Sequence, residues 1–242
     1  MIRKRFAAFT LVEMLVVIAI IATIAAFALP AITGALTRGQ LAQAVNNARQ
    51  IYLSTFAMTT DGSQTGDAKY AWPGDLSQSQ DSTVQISTVS DFVQRLVDND
   101  YLKSGDLKVF AAPGITPWVG SYTKPADATS KGSFSPAFNG NTNCAFKIYK
   151  VTDKDAGTAI FLATKNFSYT TNTNTAIDTT KSPFGDKGFV VFHKGGDGTF
   201  YKRQQATSKT LLGYVGDPTG QSDPSSQNPP PDESTSSYLT QQ

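Results

Sequence analysis

The sequence predicts an α+β protein in which a long N-terminal transmembrane helix packs on a C-terminal antiparallel sheet. Three observations lead to this fold class. Residues 9–29 form an apolar run of 21 residues, which is long enough to cross a bilayer as a helix. Residues 30–60 continue with a helical stripe of apolar side chains. From Cys144 onward apolar residues tend to alternate with a period of two, which is typical of strands.

A short basic leader precedes the apolar run. Residues 1–8 carry three positive side chains and no negative one. Such charges hold an N-terminus in the cytoplasm while the following chain is exported. An ordinary secretory signal has its small-residue cleavage site after the apolar core, whereas here the small residue Ala8 stands before it. The pattern therefore predicts a retained single-pass helix over residues 9–29.

Glu13 is the one charged residue in this apolar run. A carboxylate costs roughly 2.5–3.5 kcal/mol at the centre of a membrane helix and less near its end, so it usually has a partner. The simplest alternative is a plain signal anchor that carries an incidental glutamate. An unexplained charge in a membrane segment favours a functional role for Glu13.

Residues 8–13 read AFTLVE, and a long apolar run leads from them to Pro30. This pattern resembles the prepilin N-terminus, the hallmark of type IV pilins and type II secretion pseudopilins. In that family a membrane peptidase cuts before a phenylalanine and methylates the new amine. Glutamate is the fifth residue of the mature chain, and proline lies near its twenty-second. A cut between Ala8 and Phe9 reproduces both positions, although the family usually has glycine where this chain has Ala8.

The resemblance implies a pilin-like fold and a set of partners. Ala8 and Phe9 would be the processing and N-methylation site, and Glu13 would act in assembly. The implied partners are prepilin peptidase, an inner-membrane assembly platform, membrane lipid, and other subunits of a homo- or hetero-oligomeric filament. The implied location is the inner (cytoplasmic) membrane, with the C-terminal domain periplasmic or extracellular.

The helix is predicted to continue through residues 30–60 as an amphipathic stalk that covers a sheet. Pro30 removes one backbone donor, which predicts a helix kink or a loosened turn. The helix is expected to stop near Thr59, before the turn-forming residues 61–63. The apolar stripe recurs at spacings of three and four residues and consists of Leu41, Ala44, Val45, Ala48, Ile51, Tyr52 and Thr55.

Residues 61–216 are predicted to form an exported globular α+β head. Residues 72–75 (WPGD) favour an ordered loop, and residues 90–97 favour a short capped helix. Strands are predicted at CAFKIYKV, TAIFLATK, GFVVFHK, TFYKR and LLGYV. Residues 195–198 (GGDG), between the third and fourth of them, indicate a hairpin. Residues 217–242 are rich in Pro, Ser and Gln, so a disordered tail is expected.

Charge and cysteine content argue against two classes of protein. The formal net charge is +2, and loss of the leader leaves 18 basic against 19 acidic side chains. No Lys/Arg-dense stripe follows the leader, so no nucleic-acid partner is expected. Cys144 is the single cysteine, which excludes an intrachain disulfide. Its apolar surroundings favour a packed strand thiol over a reactive one.

No residue pattern points to catalysis. The sequence holds no GxSxG, HExxH, P-loop or CxxC motif. The single histidine, His193, is expected to be a solvent-facing or edge-strand side chain rather than a general base. The sequence therefore predicts neither a catalytic residue nor a cofactor, and the chain is not expected to be an enzyme.

A bound calcium ion is the one alternative to a chain without a cofactor. The turn at residues 196–198 resembles the glycine- and aspartate-bearing turn of major pseudopilins, where that family often binds calcium. Asp197 and Asp217 are the candidate ligands, and Asp186 and Asp223 could approach them. A plain turn is the competing interpretation. A second segment, DKDAG, lacks the third ligand position and the distal glutamate of a calcium loop, so a hairpin turn suits it better.

These observations predict a structural subunit of a type II secretion pseudopilus. Many type IV pilins close a C-terminal loop with a disulfide, which the lone Cys144 cannot form, and this favours the secretion branch of the family. The alternatives are a major or minor type IV pilus pilin, a DNA-uptake pilin, and a monomeric membrane-anchored binding domain. The last of these needs neither a peptidase site nor Glu13.

Overall fold

A computed structural model describes residues 10–126, 130–167, 180, 182–202 and 238–242. The chain divides into two compact units, Met1–Gly39 and Gln40–Gln242. Helix α1 (Leu11–Thr65) contributes residues to both. The second unit contains a four-stranded antiparallel sheet, so the predicted α+β class is confirmed.

The apolar stripe of α1 is the part of the helix that enters the core. Leu41, Ala44, Ala48 and Ile51 are at most 2% exposed, and Val45 and Tyr52 pack partly buried against the same core. The Tyr52 ring lies 6.2 Å from the ring of Phe161 and 5.3 Å from that of Phe192, both in the sheet. The stalk therefore covers the sheet, as the helical spacing predicts.

The end of α1 differs from the prediction. The helix continues through Gly62 to Thr65, and Gly66 ends it. The backbone of Gly66 is left-handed, with a φ of 71°, and the Gly66 N–H donates to the Gly62 carbonyl at 2.8 Å. Gly62 has another role. A Cβ there would lie 2.4 Å from the Tyr70 carbonyl oxygen, so glycine allows the following segment to pack against the helix.

Short elements fill the segment between α1 and the sheet. Residues 72–75, predicted to be a loop, form the start of a helix that has Pro73 in its first turn, the position where proline is tolerated. The elements before the sheet are a 3₁₀ turn (Ala68–Tyr70), α2 (Pro73–Ser77), α3 (Val89–Asp98), a 3₁₀ helix (Ser104–Phe110), β1 (Ser121–Thr123), β2 (Ser133–Ser135) and α4 (Gly140–Asn143).

The main sheet has the strand order β3-β4-β5-β6, and all its neighbours are antiparallel. Its strands are β3 (Phe146–Ile148), β4 (Ile160–Thr164), β5 (Phe189–His193) and β6 (Gly198–Tyr201). Four of the five predicted strands are found, and the predicted β5–β6 hairpin is confirmed. The fifth, LLGYV, lies outside the described residues. Strands β1 and β2 pair with each other in a separate two-stranded sheet.

The last described residues contradict the predicted disordered tail. Leu239 is fully buried, and its N–H donates to the Ile148 carbonyl of β3 at 2.9 Å. Residues 238–242 therefore belong to the head, because a buried leucine and backbone hydrogen bonds offset the entropy of ordering them. Residues 217–237 of the predicted tail lie outside the described residues.

A capping box begins α3. The Thr88 side chain accepts a hydrogen bond from the Asp91 N–H at 2.9 Å, and the Asp91 carboxylate accepts one from the Thr88 N–H at 3.1 Å. Burial raises the pKa of the Asp91 carboxyl, but hydrogen bonds from Thr88 and from the Ser87 N–H outweigh burial and hold that pKa below its usual value. The ionised carboxylate therefore stabilises the fold at neutral pH.

We expect Asp91→Asn to lower the melting temperature at pH 7 and to have little effect near pH 2. A folded pKa below the unfolded value of about 3.9 gives stability that is present above that pH and is lost as the pH falls through the folded pKa. The cap is worth about 1 kcal/mol. Thermal melts of both proteins across this range measure the difference, with Asp106→Asn at an exposed position as control. An equal loss of melting temperature at both pH values would contradict the prediction.

Candidate functional site

The N-terminal part of α1 presents an apolar surface along its length. All its large apolar side chains from Leu11 to Leu36 are exposed, and Phe27 is 83% exposed. In water such a surface would be unstable. By length and composition, this helix can cross a membrane. The apolar residues that are predicted to span the bilayer are therefore free to contact lipid or other helices.

The polar side chains on this surface are satisfied within the helix. The Thr23 hydroxyl donates to the Ile20 carbonyl at 2.8 Å, and the Thr37 hydroxyl donates to the Thr33 carbonyl at 3.1 Å. Such bonds to the preceding turn remove the cost of placing a hydroxyl in an apolar surrounding. Glu13 is thus the one charged side chain that the spanning segment must accommodate.

Glu13 lies in the first turn of α1 and closes a capping box with Thr10. Its Oε2 accepts hydrogen bonds from the Thr10 N–H and the Thr10 hydroxyl, both at 2.8 Å. In return the Glu13 N–H donates to the Thr10 hydroxyl at 3.2 Å. This arrangement satisfies donors at the helix start, where the helix dipole also favours a negative charge. The carboxylate is therefore fixed at the N-terminal end of the apolar surface.

The cap leaves the carboxylate able to bind a further donor. Both bonds from Thr10 go to one oxygen, whereas an ionised carboxylate offers about four acceptor positions on two oxygens. Sequence analysis missed Thr10, although the spacing Thr-x-x-Glu before an apolar run is the known signature of a capping box. The Glu13 carboxylate can thus cap its own helix and still pair with a cation from another molecule.

The roles of the other predicted residues of this region stay predictions. Ala8 and Phe9 lie outside the described residues. Pro30 lies inside α1, which is assigned as helix without interruption across it, and its predicted kink stays a prediction.

His193 is a correction to the sequence analysis. It was expected to face solvent or to lie on an edge strand, but it lies on β5, an interior strand, and is only 5% exposed. All five residues of β5 are buried, so this strand does not alternate between buried and exposed side chains. The His193 Nδ1 lies 2.7 Å from Asp197 Oδ2, and the His193 N–H donates to the Asp197 carbonyl at 2.8 Å. The pair closes the β5–β6 hairpin.

The candidate calcium ligands are not brought together by the described structure. The Asp197 carboxylate contacts His193, while Asp217 and Asp223 lie outside the described residues. Asp186 belongs to a turn before β5. In the part of the chain that the structure describes, no group of three His, Cys, Asp or Glu side chains could hold a metal ion. The choice between a calcium site and a plain turn stays a prediction.

Cys144 is a packed thiol, as predicted. It is fully buried, but it caps the end of α4 two residues before β3 and so lies outside the strand in which it was predicted. Burial raises the pKa of the Cys144 thiol to about 11. It is therefore protonated at neutral pH and unreactive, since the thiolate is the nucleophile.

A family comparison matches the segment that contains Glu13. Residues 3–29 match the prokaryotic N-terminal methylation motif. This match supports a type IV pilin-like, prepilin-type protein. No curated protein and no solved structure matches it significantly. The motif implies processing of the pilin-like protein by prepilin peptidase and pilin-like assembly.

Proposed function

We propose that this pilin-like protein is a structural subunit of a type II secretion pseudopilus and not an enzyme. The observation that carries the proposal is the position of Glu13, in the first turn of an exposed apolar helix and inside the methylation motif. The apolar part of α1 holds the subunit in the inner membrane before assembly. The head is then exported as the outer wall of a filament.

Assembly would bury the apolar surface of α1 against other helices of the same kind. Lipid covers this surface in the membrane, so helix association gains little from hydrophobicity and depends on packing and on polar contacts. A charge pair in that surrounding is a strong polar contact, because the dielectric constant is low. The proposed partners are therefore further pilin-like subunits, delivered by an inner-membrane assembly platform.

The proposed charge partner of Glu13 is the amine of Phe9 on a neighbouring subunit. A cut after Ala8 creates this positive amine four residues before Glu13, at the membrane surface. Pairing between subunits would satisfy the carboxylate and set the axial register of adjacent helices. The alternatives are that Glu13 reaches the lipid headgroups or pairs with the amine of its own chain.

A type IV pilus pilin or a DNA-uptake pilin is the second candidate, since the same motif begins those subunits. Cys144 supports the secretion branch, because it is the single cysteine and is buried, so the disulfide loop common in pilins cannot form. Deletion of the gene separates the candidates. Accumulation of secreted proteins in the periplasm supports the proposal, whereas loss of surface pili or of transformation supports the second candidate.

We expect cleavage between Ala8 and Phe9, followed by methylation of the Phe9 amine. The motif and the small Ala8 side chain place the site there. Intact-mass analysis of the protein extracted from membranes should show a chain that has lost residues 1–8 and gained one methyl group. A mature chain that starts after residue 30, or an uncut chain in cells with active prepilin peptidase, would refute the prediction.

Substitutions at Ala8 provide the matched control for this cut. Ala8→Gly restores the residue usual in the family and should be processed at least as well. Ala8→Glu places a bulky charge at the cut and should leave the precursor uncut. Similar processing of both variants would mean that Ala8 is not at the cleavage site.

A further inference from the structure

Residues 238–242, called here the 238–242 segment, lie beside β3 and are joined to the head by isolated β-bridges and backbone hydrogen bonds. The Leu239 N–H donates to the Ile148 carbonyl at 2.9 Å, on the side of β3 that has no neighbour among β4–β6. On its other side the segment pairs in parallel with Thr88. The Val89 N–H donates to the Thr240 carbonyl at 2.8 Å, and the Thr240 N–H donates to the Ser87 carbonyl at 3.0 Å. Strand β3 and residues 87–89 together form what we call the acceptor groove.

Side chains make the acceptor groove selective. Leu239 is fully buried and belongs to the hydrophobic core. The Tyr238 ring meets the Tyr149 ring edge-on, with centroids 6.0 Å apart. The ammonium group of Lys147 lies 5.0 Å from the centre of the Tyr238 ring, and Lys147 itself is only 7% exposed. A desolvated cation over an aromatic ring adds to the attraction, so the groove fits an extended aromatic-leucine segment.

These contacts do not depend on which chain supplies the segment. Main-chain pairing at a sheet edge, with pockets for alternate side chains, is also a general way in which proteins bind separate peptides. Residues 203–237 connect Lys202 to Tyr238, and 35 residues can span at most about 120 Å when fully extended. A compact domain of the size of Gln40–Gln242 is about 45 Å across. The connection is therefore long enough to reach the groove of an adjacent subunit.

We propose that the acceptor groove also takes the 238–242 segment of a neighbouring copy of this chain, so that adjacent subunits exchange it. The inference rests on the proposed filament, which supplies the neighbour. The same contacts form within one chain and between two chains. The fraction of segments that are exchanged therefore depends on the local concentration of each segment near the groove. A long connection lowers the effective concentration of a chain's own segment, and assembly raises that of its neighbour's. Exchange would link the subunits through their heads, independently of Glu13.

A split cysteine pair tests the exchange in the full chain. Thr88 and Thr240 are partners in a parallel bridge and are partly or fully exposed. Neighbouring strands lie about 4.8 Å apart, which is within the range that a disulfide can close. One tagged chain carries Thr88→Cys and a second, differently tagged chain carries Thr240→Cys, both with Cys144→Ala. The two are co-expressed with the assembly proteins, and their membranes are treated with a mild oxidant.

The control replaces Thr88→Cys with Thr199→Cys, which is exposed on β6 at the opposite edge of the sheet. A single chain carrying both Thr88→Cys and Thr240→Cys checks the geometry. We expect the single chain to close an internal disulfide and the split pair to give several-fold more mixed dimer than the control. An internal disulfide without excess mixed dimer would overturn the exchange, and failure of the single chain to close would overturn the seating itself.

Filament formation is recorded separately by electron microscopy. Filaments of the unaltered chain without excess mixed dimer from the split pair would contradict the exchange and leave the proposed function standing. Excess mixed dimer in cells that form no filament would support the acceptor groove and contradict the proposed function.

Discussion

Glu13→Gln is expected to abolish or sharply reduce filament assembly and secretion, while cleavage and membrane insertion stay nearly normal. Glutamine keeps the size of the side chain and can still accept the hydrogen bonds of Thr10, because glutamine also serves in capping boxes. What it loses is the negative charge. In a surrounding of low dielectric constant that charge attracts the Phe9 amine of a neighbour strongly and needs a partner itself.

Thr10→Val is the matched control for this substitution. Valine has nearly the shape of threonine but cannot accept from the Glu13 N–H or donate to its carboxylate. Loss of the cap should cost about 1 kcal/mol at the helix start and leave the charge of Glu13 unchanged. We therefore expect filaments from Thr10→Val and few or none from Glu13→Gln.

Sheared filaments, secreted protein and total subunit are measured for both variants. Normal filaments from Glu13→Gln at normal subunit levels would make the charge-pair mechanism wrong. Equal loss of assembly in Glu13→Gln and Thr10→Val would assign the role of Glu13 to the cap instead. Loss of the subunit itself would show that Glu13 acts in insertion or stability.

The N-terminal site was largely predictable from the sequence because its information is local. An apolar run, the lone Glu13 within it and the helical spacing of the stalk can all be recognised without knowledge of the head. The Thr10 cap could also have been predicted from its spacing to Glu13. The charge partner stays a prediction, since Phe9 lies outside the described residues and a neighbouring chain would supply the proposed amine.

The errors arose where distant residues decide local structure. Gly62 suggested a helix end, but it is a close-approach site for Tyr70, and Gly66 ends the helix instead. His193 was assigned to an exposed or edge position, but β6 covers the outer edge of β5. Leu239 stands in a polar, proline-rich stretch, and only its contact with β3 orders it. The contact of Leu239 with Ile148 joins residues far apart in sequence, so no local pattern marks it.

The packing of the stalk on the sheet leads to the second large effect. We expect Ile51→Ala to lower the free energy of unfolding by about 2–5 kcal/mol, because it removes three buried carbons and leaves a cavity in the core. Ile51 is 0% exposed, whereas Leu53, two residues later on the same helix, is 55% exposed. Leu53→Ala removes the same number of carbons at a similar helical position and should cost far less.

Thermal and denaturant unfolding of a soluble form that lacks residues 1–30 measures both variants. Each kcal/mol should lower the melting temperature by roughly 2–4 °C in a protein of this size. Because both substitutions end in alanine, their difference reports burial rather than helix propensity. Equal small losses would mean that the stalk does not pack on the sheet. Equal large losses would mean that both faces of the helix are buried. The expected contrast requires that one face of the stalk packs against the sheet and the other does not.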